Sequence, residues 1–168
     1  VIRLQQLISE LSDIRKMEYK HLMLNVSRHN IVDFIQKMSL SYSEYANEHN
    51  IRLTITPPSE QIFLWFDVQK MQNVFYNLFT TIFYIVEEKG DVVVSFQKKG
   101  SYENVFIRCS CEKLNVVILQ KLLDNFGEDK ASESVDEIGF LFTKGIMELH
   151  KGLITAEKDG IGAIIKVS

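Results

Sequence analysis

Apolar residues recur along the chain with periods that change from segment to segment, and the changes mark its elements. Leu4, Leu7, Leu11 and Ile14 fall at alternating steps of three and four, the seam of a helix that packs on another helix. About two heptads are too short to be stable alone. This helix therefore either pairs with a stalk on a partner chain or folds back on its own domain. Residues 17–25 read as a linker with a short strand, after which Asn30 can cap a helix carrying Ile31, Phe34, Ile35, Met38, Tyr42 and Tyr45 on one face and ending near Asn50. Alternation over 51–56, stopped by Pro57-Pro58, predicts a strand, and 62–66 a second. Asp67 then caps a long helix to about Glu88. The runs 92–96 and 105–111, joined by a polar loop with Gly100 and Ser101, have the pattern of a hairpin. A short helix over 116–123 precedes a polar, acidic stretch, 127–137. Ile138, Leu141, Phe142, Ile146 and Leu149 then mark a last helix. Two closing strands, 153–156 and 161–167, flank a Lys158-Asp159-Gly160 turn. Hairpin-paired strands with helices between them predict an α+β fold, an α/β two-layer sandwich in which helices cover one face of a mixed sheet.

Composition narrows the function classes. With 168 residues, 46% of them hydrophobic, the chain buries one good core, so one compact domain with an appendage is expected. Nineteen basic residues against 22 acidic ones leave a formal charge of −3, which offers no footprint for a phosphate backbone and argues against nucleic-acid binding by this segment. No apolar run reaches the roughly 20 residues that span a bilayer, so no direct membrane contact is expected. Cys109 and Cys111, two apart on one strand, share a face without the geometry for an easy disulfide; a reducing, cytoplasmic setting fits them. No grouping of His, Cys and carboxylates suits a nucleophilic, redox or metal-hydrolase site.

Several strings then carry a resemblance across nearly the whole length. Residues 11–18, Leu-Ser-Asp-Ile-Arg-Lys-Met-Glu, look like the end of the second dimerisation helix of sensor histidine kinases, and Leu24-Asn25-Val26-Ser27 is similar to the strand after it in large hybrid kinases. Residues 65–71 and 74–79, Trp-Phe-Asp-Val-Gln-Lys-Met and Val-Phe-Tyr-Asn-Leu-Phe, look like the approach to the family's asparagine box. Residues 143–154 look like the helix and strand after its second glycine box. The resemblance implies a GHKL-type ATPase domain over 30–168, a stalk over 1–18 and a linker over 19–29. It also implies a homodimer through the N-terminal helix, a response-regulator or receiver partner, and a cytoplasmic place in a membrane-anchored bacterial sensor. In that family Mg-ATP lies between the long helix and a lid, and its γ-phosphoryl passes to a histidine on the first dimerisation helix. This sequence lacks that helix, and His21, His29, His49 and His150 read as ordinary surface or packing residues.

Set against the family's boxes, the nucleotide positions are mostly altered. Asn77 matches the first asparagine, but Thr81 stands where the Mg²⁺ ligand belongs, and Tyr84 replaces the usual cation. A hydroxyl serves a hard octahedral ion less well than an amide or carboxylate oxygen. Tyr84 and Ile85 are expected to fill the emptied pocket. The D-x-G-x-G strand end reads Cys111-Glu112-Lys113-Leu114-Asn115, so the adenine-reading carboxylate becomes a weakly accepting thiol and two glycines regain side chains. In the lid only Gly139 matches the glycine box, and the Ser134-x-x-Glu137 spacing suggests a capping box that satisfies the helix N-terminus from within. Five acidic residues between 128 and 137 either add charge that opposes a triphosphate or merely solvate a flexible loop. The expectation is a pseudokinase-type domain with no cofactor, signalling by dimerisation and conformational relay. The rival is an active histidine autokinase holding Mg-ATP in a non-standard pose through Asn77, Thr81 and Lys113.

Overall fold

The computed structural model describes residues 2–127 and 137–168. Helix α1 (Ile2–Glu18) leads to strand β1 (Ser27–Asn30), helices α2 (Ile31–Leu40) and α3 (Ser43–Glu48), strands β2 (Ile51–Thr56) and β3 (Phe63–Phe66), and the long helix α4 (Val68–Val86). The hairpin β4 (Gly90–Lys99) and β5 (Tyr102–Cys111) follows, then α5 (Val116–Phe126), α6 (Ile138–Leu149) and the hairpin β6 (Ile154–Asp159) and β7 (Gly162–Val167). Five strands make a mixed sheet in the order β2-β4-β5-β7-β6, with β2 parallel to β4 and the other pairs antiparallel. The two-layer α+β sandwich expected from the element order is the fold observed. The pair β1–β3 stands apart as a two-stranded antiparallel ribbon.

Period-two alternation drives the sheet against the helices. Val92 and Val94 on β4, and Val105, Ile107, Cys109 and Cys111 on β5, all face inward. A one-residue slip would turn this whole set to water, which is what fixes the register. Opposite them α4 buries Phe75, Phe79, Ile82, Phe83 and Ile85, each removing enough apolar surface to contribute about 1.5–3 kcal/mol.

Three sequence expectations shift. The single helix expected from Asn30 to Asn50 breaks after Leu40. There Ser39 and Ser41 hydroxyls donate to the carbonyls of Gln36 and Met38, local bonds that compete with the helix ladder. Beyond the break, Tyr42 stacks on Phe83 with centroids 5.2 Å apart and donates to the Tyr76 carbonyl. The strand expected around Leu24–Ser27 lies at Ser27–Asn30 instead. The last turn is tighter than its Lys-Asp-Gly signature suggests, because Lys158 and Asp159 pair with Ala163 and Gly162; Gly160, at φ +55°, supplies the bend.

Helix starts follow their caps as expected: Asn30 accepts from the Val32 amide and Asp67 from the Lys70 amide. Asp67 does more, since its second oxygen accepts from the Asn25 amide at 2.8 Å and ties the linker to α4. Asp67→Ala is expected to cost about 1–2 kcal/mol, read as a lower urea midpoint with an unchanged m-value.

Of the two readings of the first helix, the fold-back is what the structure contains. Leu7, Ile14 and Met17 turn toward the domain, whereas Leu4, Ile8 and Leu11 stay exposed on another side. The four-residue seam therefore divides between two faces.

Candidate functional site

Helix α4 presents Asn77, Thr80, Thr81 and Tyr84 to a cavity of about 390 Å³, closed on its other sides by Arg3 and Leu7 of α1, Ile118 and Lys121 of α5, and residues 137–140 at the start of α6. The cavity thus lies between the long helix and the start of α6. Two further elements determine its chemistry: α1, which the sequence reading left out of the site, and the way α6 approaches α4.

The approach of α6 depends on small residues. A Cβ added at Gly139 would sit 3.3 Å from the Asn77 side-chain amide, and one at Gly145 would meet Met17 Sδ at 2.6 Å. Gly139 therefore lets α6 close on α4, and Gly145 lets α1 close on α6. Within that contact Asn77 is buried, and its Nδ2 donates toward Glu10 Oε1 and the Gly139 carbonyl at 3.3 Å and toward Thr143 Oγ1 at 3.4 Å. Two protons serve three acceptors, so all three bonds are long. Glu10 is wholly buried, as is Thr143. Gln6 donates to Glu10 Oε1 at 2.9 Å, while Glu10 Oε2 has no partner among the described residues. One turn along, Asp13 receives Lys70 Nζ at 2.5 Å in a largely buried ion pair. Arg3 lies 5.3 Å from the centroid of the Tyr76 ring.

The remaining site positions are spent on structure. Thr81 donates its hydroxyl proton to the Asn77 carbonyl, a bond back along its own helix. Tyr84 lines the cavity but stays exposed, and Ile85 is fully buried in the core and absent from the cavity lining, which corrects the expectation that the two fill the pocket. The helix, expected to run to about Glu88, stops at Val86. At the strand end Cys111 is buried and its thiol donates to the Lys113 carbonyl at 3.1 Å. Burial pushes the Cys111 thiol up from its ordinary pKa and the charge of Glu87 adds to this; burial pushes Cys109 up to about 11. Both thiols are free. Lys113 is exposed. Asn115 caps α5 by accepting from the Ile118 amide, donates to Glu87 Oε1 at 2.6 Å, and gives its backbone amide to the Ile85 carbonyl. Neither Cys111, Lys113 nor Asn115 belongs to the cavity lining.

The capping box needs correction. Ser134 lies outside the described residues, and Glu137 occupies the N-cap position of α6 without a side-chain cap bond; its carboxylate receives Lys121 Nζ at 2.6 Å instead. The other acidic residues cited for the lid, 128 to 136, also lie outside the described residues. His150 is structural, as expected: Nε2 accepts from the Asp67 amide, and Nδ1 donates to the Ile146 carbonyl.

Sequence reasoning missed Glu10, Asp13, Lys70, Lys121 and Thr143. A signal existed for the first two, because carboxylates at 10 and 13 interrupt the face defined by Leu7, Ile14 and Met17. Among the described residues no cluster of three or more His, Cys, Asp or Glu side chains could hold a metal, and no helix is long and apolar enough to cross a membrane.

Comparisons place this geometry among known proteins. No protein-family model matches the sequence. Histidine kinase P4 of Formosa agariphila is 32% identical over 173 aligned residues, covering 98% of this chain and 13% of that protein. Full-length ShkA in complex with AMPPNP superposes with a TM-score of 0.72 at 12% identity, over 98% of this chain and 35% of that one. ThkA in complex with the response regulator TrrA gives 0.69 at 18% identity, over 98% and 46%. The chain therefore spans a small part of the length of the curated relative it matches.

Proposed function

Because this chain is a catalytic domain of the two-component histidine-kinase type in sequence relationship and fold, we propose that it has given up ATP-dependent phosphotransfer and signals through the docking and release of α1. The observation that carries this reading is that Asn77, the one asparagine-box residue retained, spends its amide N–H groups on Glu10 of α1, on Gly139 and on Thr143. The other ligand positions agree. A Mg²⁺ ion takes oxygen ligands in octahedral geometry, and here the hydroxyl of Thr81, at the ligand position, is committed to a carbonyl. Adenine would find a thiol turned toward Lys113 in place of a carboxylate, a loss worth on the order of 1.5–3 kcal/mol, or one to two decades of affinity. Mg-ATP therefore does not fit the residues present.

In this reading α1 is the moving part. It is held by the Asp13–Lys70 ion pair, the Glu10–Asn77 contact and a few apolar side chains, so an upstream displacement of α1 is felt directly by α4 and α6. The exposed stripe Leu4, Ile8 and Leu11 is left for a second copy in the dimer. The whole protein is read as a cytoplasmic signalling region of a membrane-anchored sensor, with a response-regulator or receiver domain as partner and no nucleic-acid contact by this segment.

One observation favours the autokinase rival: the cavity keeps Arg3 and Lys121 beside Thr80 and Thr81. Isothermal titration of the chain with Mg-ATP and Mg-ADP separates the two. The expected result is no saturable heat in the micromolar range; a dissociation constant in the low micromolar range sinks the pseudokinase.

A further inference from the structure

A second pair of cavities lies at the other end of β5. Residues 58–62, the start of β3 and the tip of the β4–β5 hairpin line one of about 520 Å³, and a neighbouring cavity of about 280 Å³ runs in toward the C-terminal end of α6. Both are lined by Leu64, Ser101 and Glu103. No residue lines both this groove and the cavity beside α4, so the two are separate.

Its chemistry is lopsided. The smaller cavity is walled by Trp65, Phe66, Phe75 and Met147; its polar side chains are Ser101, Glu103, His150, Lys151 and Ser168, and Glu103 is the one acidic side chain among them. Glu103 Oε2 is enclosed and has no hydrogen-bond partner among the described residues, while Oε1 lies 3.9 Å from Lys98 Nζ, on a side chain that is 71% exposed. His150 also lines this cavity, but both its ring nitrogens are committed, one accepting from the Asp67 amide and the other donating to a carbonyl. Lys151 is exposed at the rim, where water screens it. A buried carboxylate oxygen without a donor is costly, and the group that relieves it is a cation or a strong N–H donor. Trp65 lines the same cavity and is 68% exposed, so its ring can receive a cation or an apolar body.

We propose that this groove binds a small organic ammonium carrying an aromatic or aliphatic body, its nitrogen donating to Glu103 Oε2 and its body packed on Trp65, Phe66 and Met147. This ligand site is independent of whether the cleft binds nucleotide. Its small volume favours a free amine over a folded partner surface.

Trp65 is the sole tryptophan and reports on the site directly. The chain is titrated with 2-phenylethylamine, protonated at pH 7, and in parallel with the neutral 2-phenylethanol, following Trp65 emission. Saturable change with the amine is expected, at least tenfold tighter than with the alcohol. Glu103→Gln should erase that preference while leaving binding of the alcohol unchanged. Equal affinity for amine and alcohol in the wild-type chain overturns the proposal, because the cavity is then only apolar, and so does a linear, non-saturating response to the amine. The wild-type comparison stands even if Glu103→Gln folds poorly. Neither outcome bears on ATP binding at the cleft.

Discussion

Lys70→Met is expected to detach α1 from the domain. The substitution leaves the Asp13 carboxylate buried with no counter-charge, and an uncompensated buried charge of this kind costs about 3–5 kcal/mol when its surroundings cannot move. Here the surroundings can move. α1 is joined to the remainder by a linker, so the domain escapes the full penalty by releasing the helix, and the loss is capped by the docking energy. Free of the domain, a helix of 17 residues without a buried face is marginal in water. Amide hydrogen exchange across residues 6–17 should accelerate toward the rate of an unprotected peptide, while α4 and the central strands keep their protection. The companion variant Asp13→Leu with Lys70→Met replaces both charges by apolar groups and should return α1 to near wild-type protection, since exchanging a whole buried pair is far cheaper than breaking one. Glu10→Gln provides a control of opposite sign. It removes a buried charge whose Oε2 has no partner among the described residues, and should tighten docking by about 1 kcal/mol. Unchanged α1 protection in Lys70→Met would show that the ion pair does not hold the helix, and the docking mechanism would fall with it.

Much of the architecture could be read from local pattern. The inward valines of β4 and β5, the caps at Asn30 and Asp67, and the amphipathic α6 are each specified by residues within a turn or a hairpin of one another. What sequence patterning does not reveal depends on distant partners. Tyr84 sits at the cation position of the box, and its exposure follows from where α1 leaves space, which no spacing along α4 encodes. Glu10 looks like a solvated helix charge until Asn77 and Thr143 are placed around it from 67 and 133 residues away. Glu137 fits a capping box by spacing, yet Lys121 of the preceding helix takes its carboxylate. The seam of α1 shows the same limit from another side: heptad spacing identifies a helix with apolar positions, and only the fold decides that Leu7 and Ile14 face the domain while Leu4 and Leu11 do not. By contrast, the loss of the adenine reader at Cys111 is legible directly, because a missing carboxylate is missing whatever the packing.

Restoring that carboxylate tests whether the site is merely lacking a residue or has been rebuilt around the loss. In Cys111→Asp the new side chain enters a position only 5% exposed, where the native thiol donates to the Lys113 carbonyl and Glu87 is close enough to raise the thiol pKa. A carboxylate there meets an acceptor and a like charge and finds no donor, so the variant is expected to lose about 2–4 kcal/mol of stability at neutral pH. The sign of the pH dependence follows. Burial and Glu87 hold the folded-state pKa of the introduced aspartate above its unfolded value near 3.9, so the penalty is fully present above the folded pKa and shrinks as pH falls through it. Urea midpoints of variant and wild type should therefore converge between about pH 7 and pH 4. ATP affinity should not return, because Ile85 stays packed in the core and Asn115 stays tied to Glu87 and the start of α5. A variant of unchanged stability that binds Mg-ATP at micromolar concentration would mean that Cys111 alone had closed the site. A destabilised variant that still ignores ATP would mean that the packing around Ile85, Cys111 and Asn115 has replaced the adenine pocket.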